Sequence, residues 1–383
     1  MNRMTTSRTT EQKTSISSNT AKKIVHTLED VERDLQNMAL KKQNETCLPL
    51  TADSKTIKKP DDGYLKTISA KIDELVMELS PTENEIQEKE DLFKKLEKIC
   101  HELFPGSTLY KFGSMSNGFS LKNADMDLCL VMDDASVLTA VQIVETLGEK
   151  LRMENDFKDI LMLPRARIPI VKLKSARSNI SCDIGYNNVL AVHNTLMLRA
   201  YSDIDERLKK VAFLIKYWAK RRKINEPYFG SLSRKVPILP VLQRLPHDFN
   251  GENNVQGYNA YFFKDISKLK SVWKGVGRNK QSTGELLFEI FHYFAYDFPV
   301  KEGVVSIREG SVLSKEDKNW TVTNNTKTDK YWFCVEDPFE ITHNLGRLVD
   351  RDTLYDIRGE FMRACKLMNQ NASLEDICKE YME

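Results

Sequence analysis

The sequence predicts an α+β domain followed by a mostly helical domain. Apolar residues recur at helical spacing over residues 64–79 and again over about 82–103, which indicates two amphipathic helices. Strand-like segments follow at 108–112, 126–132, 168–173 and 179–186. After residue 201 the pattern becomes mostly helical, with the clearest helices near 203–223, 283–296 and 356–368. Helices and strands mixed along the first part of the chain are typical of an α+β domain.

The N-terminal segment, residues 1–61, is expected to be a disordered tail and linker. Residues 1–23 are rich in Ser and Thr and carry several basic residues against one acid, Glu11; such a segment buries too little apolar area to offset its ordering entropy. A mitochondrial transit peptide has a similar composition, but no clear amphipathic stripe is present. Residues 24–42 could form an isolated helix.

The remaining chain is expected to divide into two domains, at 62–200 and 201–383. The first helix of the α+β domain is a candidate to pack on the helical domain. No apolar run approaches the roughly 18–20 residues that a membrane span needs, so no membrane partner is expected.

Composition narrows the class of protein further. The 57 Lys and Arg residues against 55 Asp and Glu give a net charge of +2, so overall charge indicates no nucleic-acid partner and any basic surface must be local. A hydrophobic share of 41% excludes a fully disordered chain. The seven cysteines include no CxxC pair, which favours reduced thiols in an intracellular protein and argues against a zinc site.

Two aspartates in an apolar strand are the strongest chemical signal. Asp125 and Asp127 are two residues apart, so a strand places them on the same face. Two such carboxylates repel by about 4 kcal/mol at about 4 Å with an effective dielectric near 20. A bound cation offsets this repulsion, and carboxylate oxygens beside a phosphate are typical ligands of Mg²⁺.

Two further features strengthen this interpretation. Asp183 lies in another strand-like segment, and three aspartates converging on two metal ions would suit phosphoryl transfer. Gly113-Ser114 precedes the pair at a strand-to-helix turn, where a glycine lets the backbone approach a phosphate. Asp-x-Asp alone is common in loops and Gly-Ser alone is uninformative, but their combination with a third strand aspartate is much rarer.

The chain resembles a known family from about Tyr64 to about Met368. The resemblance rests on Phe112-Gly113-Ser114, Asp125-Met126-Asp127-Leu128-Cys129, Arg165-Ala166-Arg167, Cys182-Asp183-Ile184-Gly185, Lys216-Tyr217-Trp218-Ala219-Lys220 and Glu336-Asp337-Pro338-Phe339-Glu340. These segments are similar to polymerase-β-like nucleotidyltransferases, and more finely to cytoplasmic poly(A)/poly(U) polymerases and terminal uridylyltransferases, particularly the fungal poly(U) polymerase type. The resemblance implies a mixed-sheet nucleotidyltransferase domain and a helical poly(A)-polymerase-associated domain with a nucleotide-recognition loop at 336–347.

The resemblance also implies site residues. Asp125, Asp127 and Asp183 would bind Mg²⁺ or Mn²⁺, with Asp183 acting as general base for the RNA 3′-hydroxyl. The nucleotide-binding positions would be Gly113, Ser114, Asn188, Ala191, Asn194, Thr195, Lys216, Lys220, Asp337, Glu340 and His343.

Each of these roles has a plainer alternative. Lys216 and Lys220 share a helix face that suits a triphosphate, although a solvated basic face has the same spacing. Asn194 and Thr195 can hydrogen-bond a ribose 2′-hydroxyl, although Asn and Thr more often cap helices. In the family, a histidine at the place of His343 goes with uracil preference, because the imidazole narrows the pocket against purines; a lone histidine is otherwise more often structural. Asp337 and Glu340 would face the base or orient His343.

For RNA binding, Arg165 and Arg167 would share one strand face, with the basic helix at 207–223 as a second surface. No RNA-recognition module is evident, so the enzyme would have loose RNA sequence preference or would take its specificity from an RNA-binding protein partner.

The sequence departs from the family pattern after Ser233. The family has Ser-Tyr at the start of a long helix there, and the tyrosine stacks on the incoming base. This chain continues Arg234-Lys235-Val236-Pro237-Ile238-Leu239-Pro240, in which the two prolines forbid a regular helix. Base stacking contributes roughly 1–3 kcal/mol, so this loss is expected to weaken nucleotide binding.

The function expected from the sequence is template-independent transfer of UMP from UTP to an RNA 3′ end in the cytoplasm. The alternatives are a cytoplasmic poly(A) polymerase that uses ATP, a transferase acting on a small molecule such as an aminoglycoside, and an RNA-binding protein that has lost catalysis with the helix after Ser233.

Overall fold

The computed structural model describes residues 57–132, 138–224, 253–272 and 277–382. Of the disordered tail and linker expected at 1–61, residues 1–56 lie outside the described residues, as do the candidate helix at 24–42 and the divergent segment after Ser233. Residues 57–61 are described, and Lys59 among them pairs with Glu285 (2.5 Å).

The first part of the described chain contains a five-stranded mixed sheet. Its elements are α1 (Asp62–Leu79), α2 (Glu83–Leu103), β1 (Thr108–Phe112), α3 (Ser114–Asn117), β2 (Met126–Val131), α4 (Ala140–Met153), β3 (Phe157–Leu163), β4 (Ile170–Ser175), β5 (Ser181–Tyr186) and α5 (Val189–Ile204). The strand order is β1-β2-β5-β4-β3. The pairing of β2 with β5 is parallel and the other pairings are antiparallel, which confirms the predicted α+β class with a mixed sheet.

One face of this sheet is buried against helices. Leu96 of α2 and Leu147 of α4 pack with Leu128 of β2 and Ile184 of β5 in a single core. Because side chains alternate along a strand, the residues between these core positions project from the opposite face, where they can form a site.

The sequence predicted four of the five strands and both initial helices, but not α4, β3 or α5. A register shift interrupts the pairing of β3 with β4 between Lys158 and Leu161, and Asp159 in between has a φ of 55°. This irregularity breaks the two-residue alternation that identifies a strand.

The second part of the chain is mostly helical and also contains short strands. Its elements are α6 (Glu206–Arg221), β6 (Asn254–Val255), β7 (Tyr258–Asn259), a 3₁₀ turn (Ile266–Lys268), α7 (Leu269–Val272), α8 (Thr283–His292), a π-helical turn (Tyr293–Asp297), β8 (Gly303–Ser306), β9 (Ser311–Ser314), a second 3₁₀ turn (Val322–Asn324), β10 (Cys334–Val335), α9 (Arg351–Asn369) and α10 (Leu374–Ile377). The three-helix prediction corresponds to α6, α8 and α9. The sheet β10-β8-β9 was not predicted, because its strands are too short to show alternation.

Aromatic packing joins the long helices of this part. Trp218 of α6 lies 5.0 Å from Phe291 of α8 and 5.1 Å from Phe361 of α9, measured between ring centroids. Helix α1 packs against α8 so closely that a Cβ on Gly284 would lie 2.3 Å from the Leu65 carbonyl oxygen. None of the described helices is long and apolar enough to cross a membrane.

Candidate active site

The strand register places Asp127 and Asp183 side by side. Asp127 of β2 is the direct partner of Asp183 on the parallel strand β5, and Asp183 is also the partner of Lys172 on β4. Cross-strand partners share one face of a sheet, and neighbouring strands are about 4.8 Å apart. The row Asp127, Asp183 and Lys172 therefore crosses the sheet on the face opposite the apolar core.

Asp125 lies just before β2 and is exposed. The turn that leads into it is held by α1 and α2, since the Lys122 N–H donates to the Leu79 carbonyl (2.7 Å) and the Asn123 N–H donates to Glu85 Oε1 (3.0 Å). Asn123 has a φ of 58°, a left-handed conformation that asparagine tolerates better than most residues.

Gly113 sits directly against Asp127. It has a φ of 74° and immediately precedes α3, which begins at Ser114. A Cβ at Gly113 would lie 2.3 Å from Asp127 Oδ2, so only glycine fits beside this carboxylate. The predicted strand-to-helix turn is thus present, with the backbone of Gly113 and Ser114 next to the aspartate pair.

The carboxylates suit a divalent cation whose coordination is completed by a bound ligand. Nowhere in the described residues do three His, Cys, Asp or Glu side chains form a ready-made metal cluster. Mg²⁺ commonly binds through one or two carboxylates together with substrate phosphates, so an incomplete protein ligand set of hard oxygens fits this ion. In addition, the ammonium group of Lys172 donates a hydrogen bond to Asp183 Oδ2.

Helix α5 forms another wall of the site through two buried polar residues. The hydroxyl of Thr195 accepts a hydrogen bond from the Gly113 N–H (2.9 Å) and donates to the Ala191 carbonyl (2.9 Å). Asn194 is only 5% exposed, and its Oδ1 has no hydrogen-bond partner in the described structure. A buried acceptor without a partner reduces the stability of the fold unless a ligand donates a hydrogen bond to it.

The helix-cap alternative for these two residues is wrong. Asn194 and Thr195 lie inside α5, whose N-cap position is Asn188. The side chain of Asn188 makes no capping hydrogen bond, although asparagine favours that role.

The two predicted triphosphate lysines lie on α6. Lys216 donates to the Phe119 carbonyl (3.3 Å), in the loop that joins α3 to β2, so its ammonium group lies beside the segment between Gly113 and Asp125. Lys220 is exposed one turn further along. The basic residues that follow are engaged elsewhere: Arg222 pairs with Glu360 (2.7 Å), and Arg221 donates to the Cys378 carbonyl (2.7 Å).

The predicted recognition loop is folded around Asp337. This buried carboxylate accepts hydrogen bonds from the N–H groups of Phe339 (3.0 Å) and Glu340 (3.1 Å). The Asp337 N–H donates to the His343 carbonyl (3.1 Å), and the His343 N–H donates to the Glu340 carbonyl (2.7 Å). Asp337 therefore shapes the loop that presents His343.

His343 is half-buried between charged groups of both signs. Burial lowers the pKa of its imidazole, with Arg167 and Arg347 acting in the same direction and Glu340 and Asp337 opposing it. The imidazole is consequently neutral at pH 7. Arg167 lies 3.7 Å from Glu340 Oε2. The prediction that Arg165 and Arg167 share one strand face is wrong, because β4 begins only at Ile170 and both arginines lie on the β3–β4 connection. Arg165 is exposed there.

Lys172 is a residue of the site that the sequence reasoning missed. It lies on β4, five residues after Arg167. The alternation Val171-Lys172-Leu173-Lys174 does indicate that both lysines project from the solvent face of the strand.

Two family models match this chain. Residues 68–203 match the central palm domain of mitochondrial-like poly(A) RNA polymerase. Residues 282–343 match the Cid1 family poly(A) polymerase model, a range that includes Asp337, Glu340 and His343.

Individual relatives agree with these models. The terminal uridylyltransferase cid1 of Schizosaccharomyces pombe is 36% identical over 377 residues, which cover 91% of this chain and 87% of the relative. Human terminal uridylyltransferase 7 is 36% identical over 72% of this chain but only 19% of its own length. The solved structure of Cid1 in complex with the UTP analogue UMPNPP superposes with a TM-score of 0.72 at 36% identity, over 82% of this chain and 99% of that one.

Proposed function

This chain belongs to the Cid1 family of poly(A) polymerases and terminal uridylyltransferases, and we propose that it transfers UMP from UTP to the 3′-hydroxyl of RNA without a template. The observation that carries the proposal is the direct cross-strand pairing of Asp127 with Asp183 on the open face of the sheet. The turn at Gly113 borders Asp127. Asn194, whose buried Oδ1 is without a partner in the described structure, immediately precedes Thr195, which binds the Gly113 N–H.

In this proposal the three carboxylates bind Mg²⁺ or Mn²⁺, and one of them also activates the RNA 3′-hydroxyl. Asp125, Asp127 and Asp183 bind the metal together with the triphosphate of the substrate. When bound, the metal neutralises phosphate charge and makes a nearby hydroxyl more acidic. Asp183 accepts the proton of the RNA 3′-hydroxyl as that oxygen attacks the α-phosphate of UTP and pyrophosphate leaves. The Ser114 N–H, Lys216 and Lys220 orient the triphosphate.

Nucleotide recognition is assigned to α5 and the loop at 336–347. The free Oδ1 of Asn194 accepts from a ribose hydroxyl, while Asn188, Ala191 and Thr195 line the same wall. Neutral His343 donates or accepts a hydrogen bond at the uracil edge and leaves less room for a purine, and Glu340 orients it. We assign residues 62–200 to the nucleotidyltransferase domain and 201–383 to the helical domain.

RNA is assigned to the exposed side of the β3–β4 connection. Arg165 is exposed there, and Arg167 can exchange its partner Glu340 for a phosphate. Few phosphate contacts give weak and salt-dependent binding, so a separate RNA-binding protein would provide specificity in the cytoplasm, where we place the enzyme.

The test is extension of a short labelled RNA with Mg²⁺ and each ribonucleoside triphosphate in turn. Extension mainly with UTP is expected. Asp127→Ala should abolish transfer and leave RNA binding within about twofold, since a single phosphate contact at most is affected. Asp159→Ala removes an exposed carboxylate of the same sheet, paired with Lys174 at 3.2 Å, and should retain activity. Full transfer by Asp127→Ala would refute the assignment.

A poly(A) polymerase is the second candidate, because the model that matches residues 282–343 describes poly(A) polymerases. Competition between equal concentrations of UTP and ATP on one RNA decides between the two. Predominant incorporation of AMP would favour the second candidate.

A further inference from the structure

Among the described residues, a buried charge network surrounds Glu336, the first residue of the recognition loop. The Glu336 carboxylate, which immediately precedes Asp337, has 0% side-chain exposure. It accepts hydrogen bonds from Ser306 (2.6 Å), Arg308 (3.2 Å) and Lys318 (2.6 Å). Burial opposes ionisation, but these hydrogen bonds keep the pKa of Glu336 below its ordinary value.

Lys318 differs from the other partners of Glu336 because it also contacts the loop itself. Its ammonium group donates to the Ile341 carbonyl (2.8 Å) as well as to Glu336. Ile341 lies between Glu340 and His343, so Lys318 ties the middle of the loop to the fixed residue that precedes it.

The position of Lys318 is itself well defined. Its ammonium group lies 4.5 Å from the ring centroid of Trp320, and Trp320 stacks on Tyr331 at 5.9 Å. The side chain of Lys318 is only 16% exposed. A cation held by a carboxylate, a carbonyl and an aromatic ring has little freedom, and a partly buried pair of this kind is less screened than a surface pair.

We propose that Lys318 is a positioning residue for base selection: by holding the Ile341 carbonyl to Glu336, it fixes the loop so that His343 faces the nucleotide in one orientation. This inference rests on the proposed role of His343 in uracil preference. Lys318 acts through the loop that it contacts, so it affects which base is accepted and leaves the aspartates unaffected.

The experiment compares the ratio of kcat/KM for UTP to that for ATP in four variants. Lys318→Met removes both contacts, and Lys318→Arg restores donors to both acceptors. Arg308→Met is the matched control, because it removes a cation from the same carboxylate but leaves the Lys318–Ile341 contact. His343→Asn tests the proposed function on its own.

We expect Lys318→Met to lower the ratio by about five- to tenfold, mainly through a higher KM for UTP, since one charged hydrogen bond to the loop is lost. Lys318→Arg and Arg308→Met should stay within about twofold of the parent ratio. The double variant Lys318→Met with Glu336→Gln, which leaves no carboxylate to balance, should repeat the loss if the single variant is unstable.

An unchanged ratio in Lys318→Met, or equal losses in Lys318→Met and Arg308→Met, would overturn the inference. If His343→Asn raises ATP use while Lys318→Met does not, the proposed function stands and the inference alone fails. If His343→Asn leaves the ratio unchanged, the proposed base-selection role fails instead.

Discussion

Lys172 and Asp183 face each other across β4 and β5, and the lysine ammonium group donates a hydrogen bond to the carboxylate. This places a cation of the protein at a carboxylate that we assign to a metal. When no metal is bound, Lys172 therefore offsets part of the negative charge of Asp127 and Asp183.

Removal of Lys172 should alter the metal dependence of the reaction. Without the competing cation, Lys172→Met should reach half-maximal activity at about two- to fivefold lower Mg²⁺ concentration. This shift corresponds to about 1 kcal/mol or less, the free energy that a partly exposed ion pair contributes. A Mg²⁺ titration at saturating UTP measures this. Lys174→Met, two residues along the same strand and paired with Asp159 instead, should keep the parent midpoint. Equal midpoints in both variants would contradict the prediction.

Substitution of Gly113 should damage the site more than the fold. Gly113→Ala puts a methyl group 2.3 Å from Asp127 Oδ2 at a φ of 74°, so the carboxylate must move. We expect kcat to fall at least about hundredfold, as expected when a reacting group is misplaced by about 1 Å. Steady-state extension assays with thermal melting separate the two effects.

Gly106→Ala is the control for backbone strain. Gly106 has a φ of 85°, but no atom lies within 4 Å of the position that a Cβ would occupy. It should lose about 1–2 kcal/mol of stability from the left-handed conformation and keep its kcat. A comparable loss of activity in Gly106→Ala would mean that general destabilisation, and not the contact with Asp127, explains the Gly113 result.

Thr195 should support activity through Gly113. Thr195→Val keeps the shape of the buried side chain but leaves the Gly113 N–H without its partner, which should cost about 1–2 kcal/mol in unfolding free energy. We expect kcat/KM for UTP to fall about five- to tenfold, because the hydrogen bond that fixes Gly113 is lost. Thr195→Ser retains the hydroxyl and should recover most of the unfolding free energy and most of kcat/KM for UTP. If the serine variant recovers neither, the methyl group of Thr195 matters instead.

Base selection should depend on pH through His343. Burial keeps the pKa of His343 in the folded protein below the ordinary value of 6.5. The imidazole therefore stays neutral above that pH. As the pH falls, His343 of the unfolded chain gains a proton first. Its contribution to stability is therefore fully present above about pH 6.5 and is lost as the pH falls through the lower folded-state pKa. The UTP-to-ATP ratio should be constant from about pH 7 to 8.5 and decline below the folded-state pKa. The ratio in His343→Asn should be flat throughout, and a parallel decline in that variant would exclude His343 as the cause.

Local patterns were sufficient to predict much of this fold. The strands β1, β2, β4 and β5 show alternating or continuous apolar residues, and helices α1 and α2 have clear periodicity and a break at Pro81. The strand positions of Asp127 and Asp183 followed from the same alternation. Within the recognition loop, the Asp337 carboxylate accepts hydrogen bonds from the N–H groups of Phe339 and Glu340, a common turn pattern of aspartate.

Features that depend on long-range register were not predictable. No local pattern indicates that Lys172 faces Asp183, since that requires knowing which strands pair and in which register. The same holds for Arg167 and Glu340, which come from distant segments and meet only in the fold, and for Lys318, whose partners lie in the turn before His343. From the sequence alone, nothing indicates that substitutions at these positions would affect the site.

The sheet order has a consequence for how the enzyme becomes active during synthesis. Strand β5 inserts between β2 and β4, so Asp127 gains its partner only after α4, β3 and β4 have been made. Closing this long loop is entropically costly and slow compared with forming β1, β2 or a helix. A nascent chain that ends before Ser181 can form the β1–β2 hairpin but has no catalytic pair. The pair is completed in one step when β5 enters the sheet, before α5, α6 and the recognition loop that the site also needs have been added.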